Sequence, residues 1–417
     1  MIRTIKVQLN PNNKQRTKLF EYAGASRFAY NWALAKEIES LKEKKEFISG
    51  SILRKEFTEL RHSSGFEWLE RVSNNVTKQA IKDLCNAYKR FFDMRKKSGY
   101  KAYSNKFLEY CKRVDKVPAF YDSVGHPKFK KKKDVQRYGF YQDTGKIKFT
   151  ETHVKVEGFA GGRKRNRQDL NWIRLAEKGR IPVDVKYYNP RITFDGINWW
   201  ISVGIDVDSL IEYKSENVGV GIDLGIKYLA VCSDGVIYKN INKIKKVKKL
   251  EKRKRRLQRS ISRKYIQNKE GGSYKKTCNI IKAEKEMLKL NHRLTAIRKD
   301  YQLQTISEIV KRKPSFICIE DLNVKGMMKN KHLARSVQQQ GFREFRDKLE
   351  NKTTFIGIPL VVADRWFPSS KICNCCGAIK QDLKLRDRIF KCDCDYVEDR
   401  DFNASLNLRD YGTLVLR

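Results

Sequence analysis

Apolar and polar residues alternate over positions 2–9, Ile-Arg-Thr-Ile-Lys-Val-Gln-Leu, which predicts a strand, and Pro11-Asn-Asn then opens a helix. Over residues 15–92 the apolar positions recur at helical spacing. Leu19, Phe20, Ala23, Phe28 and Trp32 form one run and Val76, Ala80, Leu84, Ala87 and Phe91 another. These read as helical hairpins, with Trp32 and Trp68 as core residues rather than platforms for stacking bases. Between Lys101 and about Tyr213 the pattern shortens to alternating segments, such as Lys146-Ile-Lys-Phe, His153-Val-Lys-Val, Arg191-Ile-Thr-Phe and Trp199-Trp-Ile-Ser-Val, which predict a β-rich region.

Farther along, a β-branched run ends on Asp223 just before Gly225, and Phe316-Ile-Cys-Ile ends on Glu320; both read as buried strands. Asn403-Ala-Ser-Leu-Asn-Leu, just after Asp401, reads as a helix whose early turns face the same point. Two long helical runs intervene. In residues 243–264 Ile244, Val247, Leu250, Leu257 and Ile261 share one narrow stripe, and Lys and Arg fill the rest. In residues 278–311 the apolar positions include Ile281, Leu288, Leu294, Ile297, Ile306 and Val310, and a Gly271-Gly-Ser turn separates the two runs as in a helical hairpin.

Charge changes the meaning of that pattern. The 417 residues hold 90 Lys and Arg against 48 Asp and Glu, a formal charge of +42. Such a surface seeks polyanions, binding nucleic acid by releasing condensed counterions. A hydrophobic fraction of 40% is enough for real cores and excludes disorder throughout. The outward faces of the first basic helix, with Lys252, Arg253 and Arg256, and the run Gly125-His-Pro-Lys128-Phe-Lys130-Lys-Lys-Lys133 are candidate phosphate contacts. Residues 161–167 read as a flexible basic loop. No run of about 18 apolar residues and no signal-peptide core occurs, so a cytosolic protein without membrane contact is expected.

Five of the ten cysteines are scattered in apolar surroundings, while the other five cluster late. Cys373-Asn-Cys375-Cys376-Gly377 is followed by Cys392-Asp-Cys394, with fifteen residues between Cys376 and Cys392. Two cysteine knuckles joined by a short hairpin supply a tetrahedral zinc site, a zinc ribbon, with Cys373, Cys376, Cys392 and Cys394 as ligands and Cys375 a bystander. The second knuckle is C-x-C where C-x₂-C is usual, and loss of zinc through that shortening is the competing reading. Asp223, Glu320 and Asp401, single carboxylates delivered by separate elements, suit a divalent-metal site: two Mg²⁺ ions so held activate a water and stabilise the leaving oxygen of a phosphodiester. Asp321, Asp364 and Asp399 read as supporting neighbours.

Four strings carry a family resemblance: V-G-I-D-L-G-I-K around Asp223, I-C-I-E-D-L-N around Glu320, the Asp364-Arg-Trp-Phe-Pro-Ser-Ser-Lys lead-in to the cysteines, and D-R-D-F-N-A-S-L-N around Asp401. Together with Asn10-Pro-Asn-Asn-Lys-Gln, Arg27-Phe-Ala-Tyr30-Asn31-Trp32-Ala and the Ala87-Tyr-Lys-Arg-Phe91-Phe92 segment, they make the chain resemble the TnpB (OrfB-type) family, with residues 93–124 and 151–170 standing apart as insertions. The resemblance implies a transposon-encoded RNA-guided DNA endonuclease that takes up a guide RNA, reads a short motif beside its double-stranded DNA target and cuts both strands. The cutting site would be one RuvC-type, RNase H-like centre with Asp223, Glu320 and Asp401 on Mg²⁺ or Mn²⁺, with structural Zn²⁺ in the ribbon. Asn74, Lys78 and the segment near Tyr138 match the region that reads the motif.

The expected fold is a multidomain α+β protein, monomeric in its RNA complex. Residues 1–10 give the first strand of a β-barrel-like wedge domain, 11–125 a helical recognition domain and 126–215 the rest of the wedge. Residues 216–368 give the first part of the α/β RuvC domain, 369–398 the zinc ribbon and 399–417 the last part of RuvC. Alternatives are a miniature type V CRISPR effector, which shares every motif, and a repressor that no longer cuts. The repressor reading is disfavoured by the presence of all three acids.

Overall fold

The structure is a computed structural model that describes residues 2–43, 46–132, 138–159, 170–207, 213, 215–384 and 387–416. The chain divides into two compact units, Met1–Asp208 and Ser209–Arg417. The basic segment 161–167 and Lys133 lie outside the described residues. Among the described residues no helix is long and apolar enough to cross a membrane.

Among the described residues of the first unit, β1 (Ile2–Asn10) leads into the helices α1 (Asn13–Lys42), α2 (Gly50–Arg61), α3 (Asn74–Arg95) and α4 (Asn105–Arg113). Six strands follow: β2 (Tyr138–Tyr141), β3 (Lys148–Phe149), β4 (His153–Lys155), β5 (Trp172–Leu175), β6 (Tyr187–Phe194) and β7 (Trp199–Asp206). All seven strands form one antiparallel sheet in the order β2-β6-β7-β1-β5-β4-β3, so the helices are an insertion between a strand and its partners. Asn12 starts α1 with a reciprocal capping box: its Oδ1 accepts from the Gln15 N–H at 2.9 Å and its own N–H donates to Gln15 Oε1 at 3.0 Å. The Gln15 amide also donates to the Leu170 and Trp172 carbonyls at 3.1 and 2.8 Å, which ties the cap to the sheet. Behind it Leu19, Tyr22, Ala23, Ala29 and Leu34 are buried, each larger side chain contributing roughly 1.5–3 kcal/mol. Phe20 meets Trp199, and Tyr22 meets Phe159, edge-on at ring separations of 5.1 and 4.9 Å.

Two expectations change here. Residues 105–113 form a helix within a stretch expected to be β-rich, because Ser104 caps it and only Cys111 is buried, so period alone gave little signal. Trp68 lies in a short 3₁₀ turn and is 39% exposed, touching Phe28 edge-on at 5.3 Å, whereas Trp32 packs into the core against Phe57 at 5.2 Å.

The second unit opens with β8 (Val220–Leu224), β9 (Tyr228–Cys232) and β10 (Ile237–Lys239), followed by α5 (Lys245–Gln267), the small hairpin of β11 (Lys269–Glu270) and β12 (Ser273–Tyr274), and α6 (Cys278–Lys311). Next come β13 (Ile317–Glu320), α7 (Val324–Met327), α8 (Ala334–Gln340), α9 (Phe342–Ile356) and β14 (Leu360–Ala363). The hairpin β15 (Ile389–Lys391) and β16 (Val397–Asp399) and the terminal helix α10 (Arg400–Leu416) complete it. Its main sheet runs β10-β9-β8-β13-β14, antiparallel among the first three strands and parallel through β8, β13 and β14. Ile222, Ile317, Cys318 and Ile319 are fully buried, as strands covered on both faces require. The pair α5 and α6 packs through Val247, Leu250, Leu290 and Leu294; Ile244 and Ile281 are exposed, and the neighbouring Ile280 is buried in place of Ile281.

Candidate active site and cysteine cluster

Asp223 is the fourth residue of β8 and Glu320 the last of β13. The parallel register pairs Ile319 with Ile222, so the next residue on each strand is an acid and the two lie side by side. The third acid comes from α10. Asp399 caps that helix, its Oδ1 accepting from the N–H groups of Asp401 and Phe402 at 2.9 and 3.2 Å, which turns the first helical residues onto the sheet. Asp401 is buried, with Arg400 Nη2 at 3.1 Å from its Oδ1 and Arg388 Nη1 at 3.9 Å from its Oδ2.

Proximity has an electrostatic consequence. Burial, then the Glu320 charge and the hydrogen bond shared with it, and then the charge of Asp401 push the Asp223 carboxyl well above the usual range, with Arg400 opposing. Burial also raises Glu320, while the bond from Asp223 and the Leu224 N–H oppose the rise. Two carboxyls so placed repel one another when both are ionised. The three acids are more openly spread than the cysteine group described below, the set of His, Cys, Asp and Glu ligand atoms that lie within 4.8 Å of one another among the described residues.

The neighbouring acids do other work. Asp321 is held by Arg346 at 2.7 Å and by Arg365, and the Asp364 Oδ1 accepts from the Trp366 N–H at 2.8 Å. A cavity of about 680 Å³ opens beside Glu320, with Lys325, Arg343, Arg346 and Arg365 on its walls.

Sequence reasoning missed the group beneath the acids. Gln340, buried at the end of α8, donates to the Gly225 carbonyl at 2.8 Å, clamping the turn that leaves β8 two residues after Asp223. Its Oε1 accepts from Asn242 at 3.3 Å, Asn242 Oδ1 accepts from Arg298 at 2.7 Å, and Arg298 reaches the buried Glu251 of α5 at 2.7 Å. The only signal in the sequence was a Gln338-Gln-Gln340 run before Gly341, with nothing to say which amide faces inward.

The candidate nucleic-acid contacts divide. Lys252, Arg253 and Arg256 on α5, and Lys78 and Lys128 in the first unit, are exposed. Asn74 is half-buried at the start of α3, its carbonyl and side chain both accepting from the Thr77 hydroxyl. Tyr138 lies in β2 with its ring edge-on to Phe20 and its hydroxyl donating to the Lys132 carbonyl. Lys130 turns inward: its ammonium sits 3.9 Å over the Tyr30 ring, burial pulls its pKa below the usual lysine value, and its peptide groups bond Asn31 at 2.8 and 2.9 Å.

The cysteines form a second site. Cys373, Cys376, Cys392 and Cys394 bring their sulfurs within 4.8 Å of one another, with Cys373 to Cys394 at 3.6 Å and Cys376 to Cys392 at 3.5 Å. A tetrahedron with metal–sulfur bonds of ~2.3 Å has edges of ~3.8 Å, so four soft donors at this spacing can hold a metal such as zinc. Gly377 at φ +76° allows the first knuckle to close, its N–H reaching the Cys373 carbonyl at 2.9 Å. The short second knuckle succeeds because Asp395 takes φ +63° and closes a tight turn on the Cys392 carbonyl at 3.2 Å. The Cys394 N–H, foremost, draws the Cys392 thiol down to about 7. Cys375 is exposed and outside the set.

Three family models match the chain. Residues 1–46 match the "Helix-turn-helix domain" of the OrfB family of IS605, a span folded here as β1 and the single helix α1, and residues 201–331 match its "Probable transposase" model. Residues 342–408 match "Cas12f1-like, TNB domain". A "Putative RNA-guided DNA endonuclease" of Streptomyces pristinaespiralis is 28% identical, over 98% of this chain and 89% of that protein. The "Putative RNA-guided DNA endonuclease InsQ" of Escherichia coli K12 is 25% identical, over 100% and 93%. Among solved structures, a CRISPR-Cas12f ternary complex chain is 16% identical with a TM-score of 0.37 over 98% of both chains, too loose a superposition to add weight.

Proposed function

Because the chain belongs to the OrfB (TnpB) family, we propose that it is an RNA-guided DNA endonuclease, cutting double-stranded DNA chosen by a bound guide RNA beside a short flanking motif. Two relatives named for that activity align along nearly the whole chain, which supports a shared division of labour. The observation that carries the proposal is the meeting of Asp223 and Glu320, half-buried at the ends of β8 and β13, with the buried Asp401 of α10, close enough for their charges to act on one another. The strand order of the second sheet supports a RuvC-type, RNase H-like reading of residues 216–368 and 399–417. The first sheet and its inserted helices support wedge and recognition roles.

The donor sets fit the two metals this reading needs. Three hard carboxylates whose charges repel one another suit Mg²⁺ or Mn²⁺, and four thiols suit a structural Zn²⁺. When bound, Mg²⁺ lowers the pKa of a water and stabilises charge building on the phosphate oxygens. The chain's own residues do the positioning. Asp223, Glu320 and Asp401 would hold the cations, while Arg388 and Arg400 keep Asp401 oriented. Lys325, Arg343 and Arg346 line the cavity that would receive the strand, and the exposed cations of α5 hold phosphates away from the cutting point.

The test is to express the full chain with its flanking locus, sequence the RNA that co-purifies, and incubate the complex with a plasmid matching that RNA in Mg²⁺. A discrete RNA and cutting only of the matched plasmid are expected. Cutting without RNA, or none with it, would contradict the proposal.

A further inference from the structure

Trp366 is the most exposed aromatic side chain among the described residues, at 84% against 55% for Tyr274, the next. A loosely held loop does not explain it, because the residues on either side are fixed. Asp364 Oδ1 takes the Trp366 N–H at 2.8 Å and the Asp364 carbonyl takes the Phe367 N–H at 3.0 Å. Arg365 is paired with Asp321, and Phe367 packs on Tyr411 with ring centres 4.7 Å apart. The backbone is thus held in a conformation that packs Phe367 inward, half-buried, and presents the neighbouring indole to solvent. An indole is a large apolar surface with one donor, and a rigid one held in water is a surface for a flat partner.

Its place in the fold narrows that partner. Ala363 pairs with Glu320 in the parallel register, and Trp366 follows three residues later, so chain reach keeps its Cα within ~11 Å of the strand end level with the acid pair. The same turn contributes Arg365 to the cavity that Glu320 lines; there Arg346 and Arg365 pair with Asp321 and Arg343 with Asp347, while Lys325 makes no ion pair among the described residues. A lysine for a phosphate beside an open ring is a pairing that holds unpaired nucleic acid, one feature tracking the backbone and the other the bases.

We infer that Trp366 is a stacking platform for an unpaired base of the strand entering the acid cluster, a binding residue that sets where that strand lies rather than which sequence is cut. The inference rests on the nuclease reading for its location, and stacking itself is sequence-tolerant because every base offers a flat face. Since the side chain packs on little of its own protein, its removal spares the fold.

Two measurements test it. The first is guided cleavage of matched DNA by the wild-type complex, Trp366→Ala and Trp366→Tyr. Trp366→Ala should raise KM about tenfold with kcat changed less than about threefold, and Trp366→Tyr should recover most of that loss. The second is emission of the full chain without Mg²⁺ as a 20-nucleotide single-stranded DNA is added, taken as the difference between wild type and Trp366→Tyr, which isolates this indole. Quenching that saturates is expected. If wild type cuts but Trp366→Ala keeps its KM and the indole emission does not move, stacking is overturned. If wild type does not cut but the indole is quenched, stacking stands and the nuclease reading falls.

Discussion

A methyl group built on Gly221 would stand 2.0 Å from the carbonyl oxygen of Ser405, so α10 lies directly on β8 with no room for a side chain between them. That approach lets Asp401, one turn before Ser405, reach the level of Asp223, two residues after Gly221. Gly221→Ala should force the helix away. Overpacking of this kind costs about 1–3 kcal/mol, and the cutting rate should fall further than stability alone explains, because one acid of three is displaced. Unfolding midpoints and single-turnover rates check this; an Ala variant with wild-type rate would show that α10 need not sit so close.

Gln340 holds the other side of the same strand end. Gln340→Leu keeps most of the volume but leaves the Gly225 carbonyl without its donor, a loss of about 1–3 kcal/mol. Cleavage should drop tenfold or more under saturating substrate at a temperature where the variant is folded. A lowered unfolding midpoint with an unchanged rate would reduce Gln340 to a packing role.

Strands β1, β3, β4, β6, β7, β8 and β13, both long helices of the second unit and the terminal helix were legible in the sequence because apolar patterning and burial largely agree there. The acid cluster was partly legible: each acid ends or begins a strongly apolar element, but only the β8–β13 register and the Asp399 cap bring them together. What the sequence hid was of another kind. The Glu251–Arg298–Asn242–Gln340 chain is polar residues that look like surface until their partners are seen. Lys130 reads as one more cation in a basic run, yet a ring beneath it and Asn31 beside it turn it inward. Ile280 and Ile281 differ by one helical step, which period alone does not resolve.

The cysteine site makes a sharp distinction among neighbours. The purified chain should carry one zinc, lost in Cys373→Ser and in Cys394→Ser but kept in Cys375→Ser, as metal analysis would show. A strong chelator should lower the unfolding midpoint of wild type and Cys375→Ser alike. Full zinc in Cys394→Ser would mean that the short knuckle is not a ligand pair.

Glu37 gives the first unit a pH dependence. Its side chain is fully buried, Oε2 accepts from the Ile48 N–H at 3.2 Å, Oε1 has no partner among the described residues, and burial pushes its pKa up to about 7. A folded-state pKa above the unfolded value means the folded chain binds the extra proton. Its contribution is therefore full below about pH 4.5 and is lost as pH rises towards 7, on the order of 2–3 kcal/mol in all. Glu37→Gln should remove that slope, so the difference in unfolding midpoint between variant and wild type should grow from pH 5 to pH 7.5. Parallel curves would show that Glu37 does not titrate in this window.

The most direct measurement is the rate at which the RNA-loaded chain cuts matched plasmid in Mg²⁺, compared with Asp223→Asn, Glu320→Gln and Asp401→Asn complexes of equal RNA content. Each substitution nearly preserves shape while removing one metal-holding charge. Cleavage should fall at least about a thousandfold in all three, with target binding retained. Cutting by any of them at close to the wild-type rate would contradict the assignment of that acid and, with it, the single three-acid site.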